Sequence, residues 1–413
     1  MVDNFEQKLR EYAHLLVEVG MNVQPGQTPR IAGTIDCAPL MRLCAEAALA
    51  AGARDVIVDW TDDFVSRLRF LKSDEAVFSE FPSYQQAKFD YMTEHQNPVL
   101  SIDSSDPELL KGVEPQRIQA WRRVRGTALL GYYDAMTAGK FQWSIGAYPT
   151  ADWAKKVFPD KSEGDAIDAL WNAIFTACRI SGDGTAVARW REHVDTCARR
   201  CRILNDYDFK ALHYQNSLGT DLTVTLPAHH IWQGGSEDSA AGIEFVANMP
   251  TEEVFTAPQR DGVNGRVYAA LPLALDGNLV KDFYLDFQDG KIVDVHAEIG
   301  EEYLRSAISV DEGASYLGEV ALVPFDSPIR STGILFYNTL FDENASCHLA
   351  FGSAYPNCVK GGELLDAEGQ KALGLNQSIT HVDFMVGTRD LSITGITHDG
   401  REIPVFVNGN FAF

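Results

Sequence analysis

The run over residues 38–51, closed by Gly52 and followed by Asp55-Val56-Ile57-Val58-Asp59, decides the first half of the fold. Alanine and leucine lose little on entering a helix, and glycine supplies the exit, so the first part predicts a helix. The β-branched run behind it shows no polar alternation and predicts a buried strand. The same pairing recurs on either side. Asp3 is placed to cap a helix with the apolar face Phe5, Leu9, Tyr12, Leu16 and Val19, which stops at Gly20. A turn at Gln24-Pro25-Gly26 leads to a short strand at Arg30-Ile31, and Pro98-Val99-Leu100-Ser101-Ile102 is another strand. Helices continue over 114–125 and 165–180. This alternation predicts an α/β N-terminal domain with a mostly parallel sheet.

The second half changes character. After a long polar helix over 184–204, strands are expected at 209–214, 222–226, 266–273, 280–287, 292–296, 379–386, 391–397 and 403–407. Asp276-Gly277, Asp289-Gly290, Asp399-Gly400 and Asn408-Gly409 are turn signals between them. The pattern predicts an α+β C-terminal domain with mainly antiparallel strands. The division expected is therefore 1–185 for the α/β domain and 186–413 for a β-rich catalytic domain.

Composition narrows the partners. The 413 residues include 35 basic and 58 acidic side chains, a formal net charge of −23. Such a balance repels phosphate backbones and anionic lipid, so no nucleic acid and no membrane are expected as partners, whereas cations are favoured. No apolar run reaches the length of a membrane span, and the polar first ten residues carry no apolar signal segment. Seven cysteines are scattered without a CxxC pair, which fits a reducing cytoplasm. Neither GxGxxG nor GxxxxGK[ST] occurs, which leaves a nucleotide site without support. GxSxG and HExxH are also absent.

Three clusters in the second half carry possible chemistry. In Asn248-Met249-Pro250-Thr251-Glu252-Glu253-Val254 neighbours point to opposite faces of an extended segment, so one glutamate at most enters a given site. Taken alone, this segment reads most simply as a polar loop with a solvated pair. Glu319 sits in the apolar run Tyr316-Leu317-Gly318-Glu319-Val320-Ala321-Leu322-Val323, where a carboxylate needs a cation, hydrogen bonds or a raised pKa. A strand residue facing water is the competing reading. His381 and Asp383 stand two apart in an expected strand and share a face. With His348 they complete a carboxylate-rich set with two imidazoles, a donor set suited to zinc, cobalt or manganese in a hydrolytic site. His229-His230 reads as surface or loop polarity, and Cys197 and Cys201, one helical turn apart, as packing.

Asn248–Pro258, with Arg260-Asp261 and Val263-Asn264-Gly265, resembles the signature of the M29 metallo-aminopeptidases, the aminopeptidase T, aminopeptidase S and PepS group. Asn344-Ala345-Ser346-Cys347-His348-Leu349-Ala350, His381-Val382-Asp383-Phe384-Met385 and Val23-Gln24-Pro25-Gly26-Gln27 resemble the same family, and the likeness spans the chain. The resemblance implies metal ligands at Glu253, Glu319, His348, His381 and Asp383, with Glu343 and Tyr355 as further ligands or near-ligands. It implies two divalent ions, zinc, cobalt or manganese, with Glu319 bridging them. It also implies a catalytic role for Glu319 and Tyr355, peptide substrates with a free N-terminus, and a homodimer. The residues alone leave two alternatives open: hydrolysis of a small non-peptide amide, and metal or ligand binding without catalysis.

Overall fold

The computed structural model describes residues 2–104, 106, 108–275 and 278–413. The turn expected at Asp276-Gly277 lies outside the described residues. The chain forms two compact units, Met1–Arg191 with Ser236–Pro250, and Glu192–Gly235 with Thr251–Phe413.

In the first unit, four parallel strands lie in the order Ile57–Thr61, Arg30–Thr34, Val99–Asp103, Trp143–Ala147. The α/β reading therefore holds, with shifted edges. The strand expected from Asp55 begins at Ile57, because Asp55 turns its carboxylate back onto the Val56 N–H and Arg54 donates its backbone N–H to Gln27. The first helix runs Phe5–Leu15 and passes into a wider turn at Leu16–Gly20. Asp3 does not cap it. Asn4 holds that position in a left-handed conformation, with no side-chain cap bond. Glu11 on this helix is buried, and its carboxylate accepts from the backbone N–H groups of Gly182 (2.5 Å) and Ala186 (2.8 Å). The carboxylate thus satisfies one orphan donor at the start of the long helix Ala186–Tyr207 and one N–H of the loop before it.

The second unit holds the antiparallel strands. Most belong to a large sheet that includes Ala211–Gln215, Asp221–Thr225, Val263–Tyr268, Asn278–Gln288 and Ser392–Ile396. A separate four-stranded sheet positions the chemistry. Its order is His381–Met385, His348–Gly352, Leu317–Leu322, Val254–Thr256, every pair antiparallel. One face of it enters the hydrophobic core through Leu317, Val320, Leu322, Leu349, Phe351 and Phe384.

The strand Leu317–Leu322 carries one extra residue. Leu317 pairs with Phe351, yet Glu319 pairs with Ala350, so Gly318 is left over as a β-bulge. In an unbroken strand Glu319 would share the face of Leu317 and point into the core. The bulge reverses that parity and turns Glu319 to the opposite face. Only glycine fits there, because a Cβ at position 318 would lie 2.3 Å from the carbonyl oxygen of Ser353 and 2.4 Å from that of Gly352.

Gly318→Ala should therefore destabilise the protein by at least about 1–3 kcal/mol and lower its melting temperature by several degrees. Gly164→Ala, in the helix Glu163–Ala177 with open space around the added methyl, is the matched change. It should leave the melting temperature unchanged or slightly raised. Equal melting temperatures for the two variants would remove the argument from the bulge.

Candidate metal centre

The register of the small sheet assembles the site. Glu319, Ala350 and Asp383 lie directly across from one another on three adjacent strands. His348 and His381 are each two residues from a member of that row, so they share its face. Val254 pairs with Leu322 on the core face, and Glu253, one residue before it, projects with the others. Ala350 at the centre keeps the middle of this face low. Glu343 arrives from a short turn, Glu343–Ala345, ahead of the His348 strand.

The contacts follow from that placement. His348 Nε2 lies 3.1 Å from Glu253 Oε2, and His381 Nε2 lies 3.1 Å from Glu319 Oε2. The Nδ1 atoms point away, to the backbone carbonyls of Ser346 (3.2 Å) and Ser353 (2.8 Å). A carbonyl only accepts, so each Nδ1 carries the proton and each Nε2 faces the carboxylates, the orientation a metal-binding imidazole needs. Glu319 and His348 are 5% and 1% exposed.

Burial dominates the electrostatics. It pushes Glu319 up to about 7, helped by the charges of Asp383 and Glu253 and opposed by the hydrogen bond from His381. Burial likewise raises Glu343 well above the usual carboxylate range, and Glu253 and Asp383 add to it. For the histidines burial works the other way and loses. The hydrogen bond and charge of Glu253 lift His348 to about 10, and the close carboxylate of Asp383, with the hydrogen bond and charge of Glu319, lifts His381 to about 11. Burial opposes ionisation of Asp383, and the close His381 and the charge of His348 outweigh it, so Asp383 stays below its ordinary value.

This arrangement fits a divalent cation. Glu319, His348 and Asp383 each offer a ligand atom, all within 4.8 Å of one another. Asp383 Oδ1 lies 3.3 Å from His381 Nε2, out of line for a hydrogen bond, and this buried oxygen has no hydrogen-bond partner among the described residues. Imidazole and carboxylate donors together suit zinc, cobalt or manganese.

Tyr355 begins the turn after the His348 strand. It is 47% exposed overall, with its ring 5.1 Å from that of His381. Burial of its hydroxyl end and the charges of Glu319 and Asp383 hold the phenol protonated. Next to the site, Cys347 is buried, its thiol against the backbone of Val323, and burial pushes it up to about 12.

Two expectations change. The Glu252-Glu253 pair is not solvated: Glu253 is half-buried, and Glu252 is 2% exposed with Oε2 3.7 Å from His193 Nε2. Alternation nonetheless separates them, since Glu253 meets His348 and Glu252 meets His193. The His229-His230 pair lies in a turn with His229 exposed, but His230 is not at the surface. It is buried edge-on to Trp232, with Nδ1 on the carbonyl of Pro227 at 3.1 Å. Sequence reasoning gave no role to Asn344, whose amide contacts both the Glu252 backbone and Glu343.

Comparison with known proteins places the chain among peptidases. The thermophilic metalloprotease (M29) family profile matches residues 5–411. Aminopeptidase AmpS of Bacillus subtilis is 46% identical over 412 residues, covering 100% of both chains. Aminopeptidase 2 of Geobacillus stearothermophilus is 44% identical, covering 100% of this chain and 99% of its own. The structure of wild-type AmpT from Thermus thermophilus superposes with a TM-score of 0.92 at 36% identity, over 99% of this chain and 100% of that one. The chain belongs to the M29 family and is a metal-dependent aminopeptidase.

Proposed function

We propose that this aminopeptidase works with two divalent ions, zinc, cobalt or manganese, which Glu253, Glu319, Glu343, His348, His381 and Asp383 would hold. The observation that carries this reading is the convergence around Ala350 of four of these side chains from one face of the small sheet, joined by Glu253 just beyond its edge strand. Bound there, such ions supply Lewis acidity to a peptide carbonyl and lower the pKa of water.

The chain's own groups account for the rest. The concentration of carboxylates favours the free α-ammonium of a peptide, which confines cleavage to the N-terminal bond. Tyr355, kept protonated, donates a hydrogen bond to the oxygen that gains charge as the carbonyl is attacked. Burial strengthens each of these interactions. Glu319, buried and in contact with His381, is the carboxylate we assign to catalysis. A homodimer fits Phe64, Leu68 and Leu71, which form an exposed apolar stripe along the helix Asp63–Lys72. A cytoplasmic location fits the seven free, buried cysteines. Among the described residues no helix is long and apolar enough to cross a membrane.

Dialysis against EDTA should abolish hydrolysis of leucine p-nitroanilide, and Co²⁺, Zn²⁺ or Mn²⁺ should restore it. Loading the metal-free protein at pH 7 should release protons. With His348 and His381 raised to about 10 and 11, both imidazoles are charged there and must lose a proton to bind. Apparent metal affinity should accordingly rise with pH. Full turnover after metal removal would end the metal reading.

Glu319→Gln changes one oxygen to an amide without changing shape. Activity should fall by at least about 100-fold, with a circular dichroism spectrum near wild type. Wild-type turnover and metal content in this variant would withdraw Glu319 from the site. A peptide with a free N-terminus should be cleaved and its acetylated form spared, as read by chromatography of the products. Equal rates on the two would point to an endopeptidase or amidase.

A further inference from the structure

We propose that Asn344 is the positioning residue that holds Glu253 and Glu343 in a common alignment, an inference that rests on the assignment of both as metal ligands. Its side chain is fully buried. Oδ1 accepts a hydrogen bond from the backbone N–H of Glu252 at 2.7 Å. Nδ2 donates to the carbonyl of Leu340 and to Glu343 Oε1, both at 3.3 Å. The amide cannot be reversed, because Nδ2 would then face an N–H and Oδ1 would face a carbonyl and a carboxylate oxygen.

The need for such a tie lies in where the sheet stops. Pairing of the Val254–Thr256 strand with its neighbour reaches only to Val254 and Leu322. Glu253 stands just beyond the last paired residue, so no ladder bond from that neighbour fixes its direction. Side chains hold the segment instead: His193 Nε2 meets the carbonyl of Thr251 at 2.8 Å, and Asn344 meets the N–H of Glu252. Glu343 sits on a three-residue turn, outside any strand. One amide thus ties two carboxylates that the sheet itself leaves loose. It is held in turn from behind, where the Asn344 carbonyl accepts from Ser327 Oγ at 3.4 Å. Asparagine is the residue this task requires, since aspartate has no donor for Glu343 and leucine has neither donor nor acceptor.

The test uses the full chain with Co²⁺ as the bound ion. Asn344→Ala removes both ties, and Asn344→Asp keeps the acceptor for Glu252 while losing the donor to Glu343. Four quantities are read: Co²⁺ affinity by chelator competition, the visible Co²⁺ spectrum, kcat and KM on leucine p-nitroanilide, and the melting temperature of the metal-free protein. Asn344→Ala should weaken Co²⁺ binding by about 10–100-fold, change the spectrum, and lower kcat with little change in KM. Asn344→Asp should change the spectrum and lower kcat by about 10-fold. A lower melting temperature with wild-type Co²⁺ affinity, spectrum and kcat in both variants means a purely structural role and overturns the proposal. If Asn344→Ala does not fold, Asn344→Asp decides by the same criteria. Wild-type behaviour at Asn344 beside an inactive, metal-poor Glu319→Gln removes this inference alone, whereas a fully active, metal-replete Glu319→Gln removes the site assignment beneath it.

Discussion

One surplus residue governs the chemistry of this chain. A strand alternates its side chains with a period of two, so Leu317 and Glu319 belong on the same face unless something breaks the count. Gly318 breaks it. Leu317 therefore stays in the core opposite Phe351, while Glu319 emerges opposite Ala350 and beside Asp383. The alternative, an ionised carboxylate against Leu349 and Phe384 with no counter-charge, costs far more than a bulge. The tight fit of Gly318 against two carbonyls is the local cost of this arrangement, and the six-residue buried strand around it carries the rest.

The polar face then sets its own requirement. Four carboxylates and two imidazoles meet in a space largely withdrawn from water, where like charges repel strongly. Burial and that repulsion raise Glu319, and the carboxylates raise both imidazoles, so each group is biased toward its protonated form. A divalent ion relieves the same repulsion with full positive charge, and the carbonyls on the two Nδ1 atoms already fix the rings for it.

Much of this is written locally. Alternation of helices with unbroken apolar strands marks the first unit, and His381-Val382-Asp383 advertises a shared face by spacing alone. Glu319 stands out because an acid in an apolar run demands an explanation. The rest depends on distance in space. His348–Gly352 is buried at every position, so it shows no period from which a strand can be read. The bulge is visible only in the pairing, since nothing in Leu317-Gly318-Glu319 states that the count is broken. The burial of Glu252 depends on His193, far away in the chain, and Ser236–Pro250 joins the first unit through contacts that composition does not encode. The role of Asn344 is hidden for the same reason, because the N–H it accepts from belongs to a segment remote in sequence.

The buried thiol of Cys347 has a consequence for selectivity. Cys347 precedes His348 in the chain and shares the core face with Leu349 and Phe351, so its sulfur points away from the imidazole and the carboxylates. Here the sulfur is enclosed and bonded to the backbone of Val323, and its proton is held far above neutral pH. Packing thus keeps this sulfur an inert spacer in the core. No sulfur from position 347 competes with the oxygen and nitrogen donors of the proposed site.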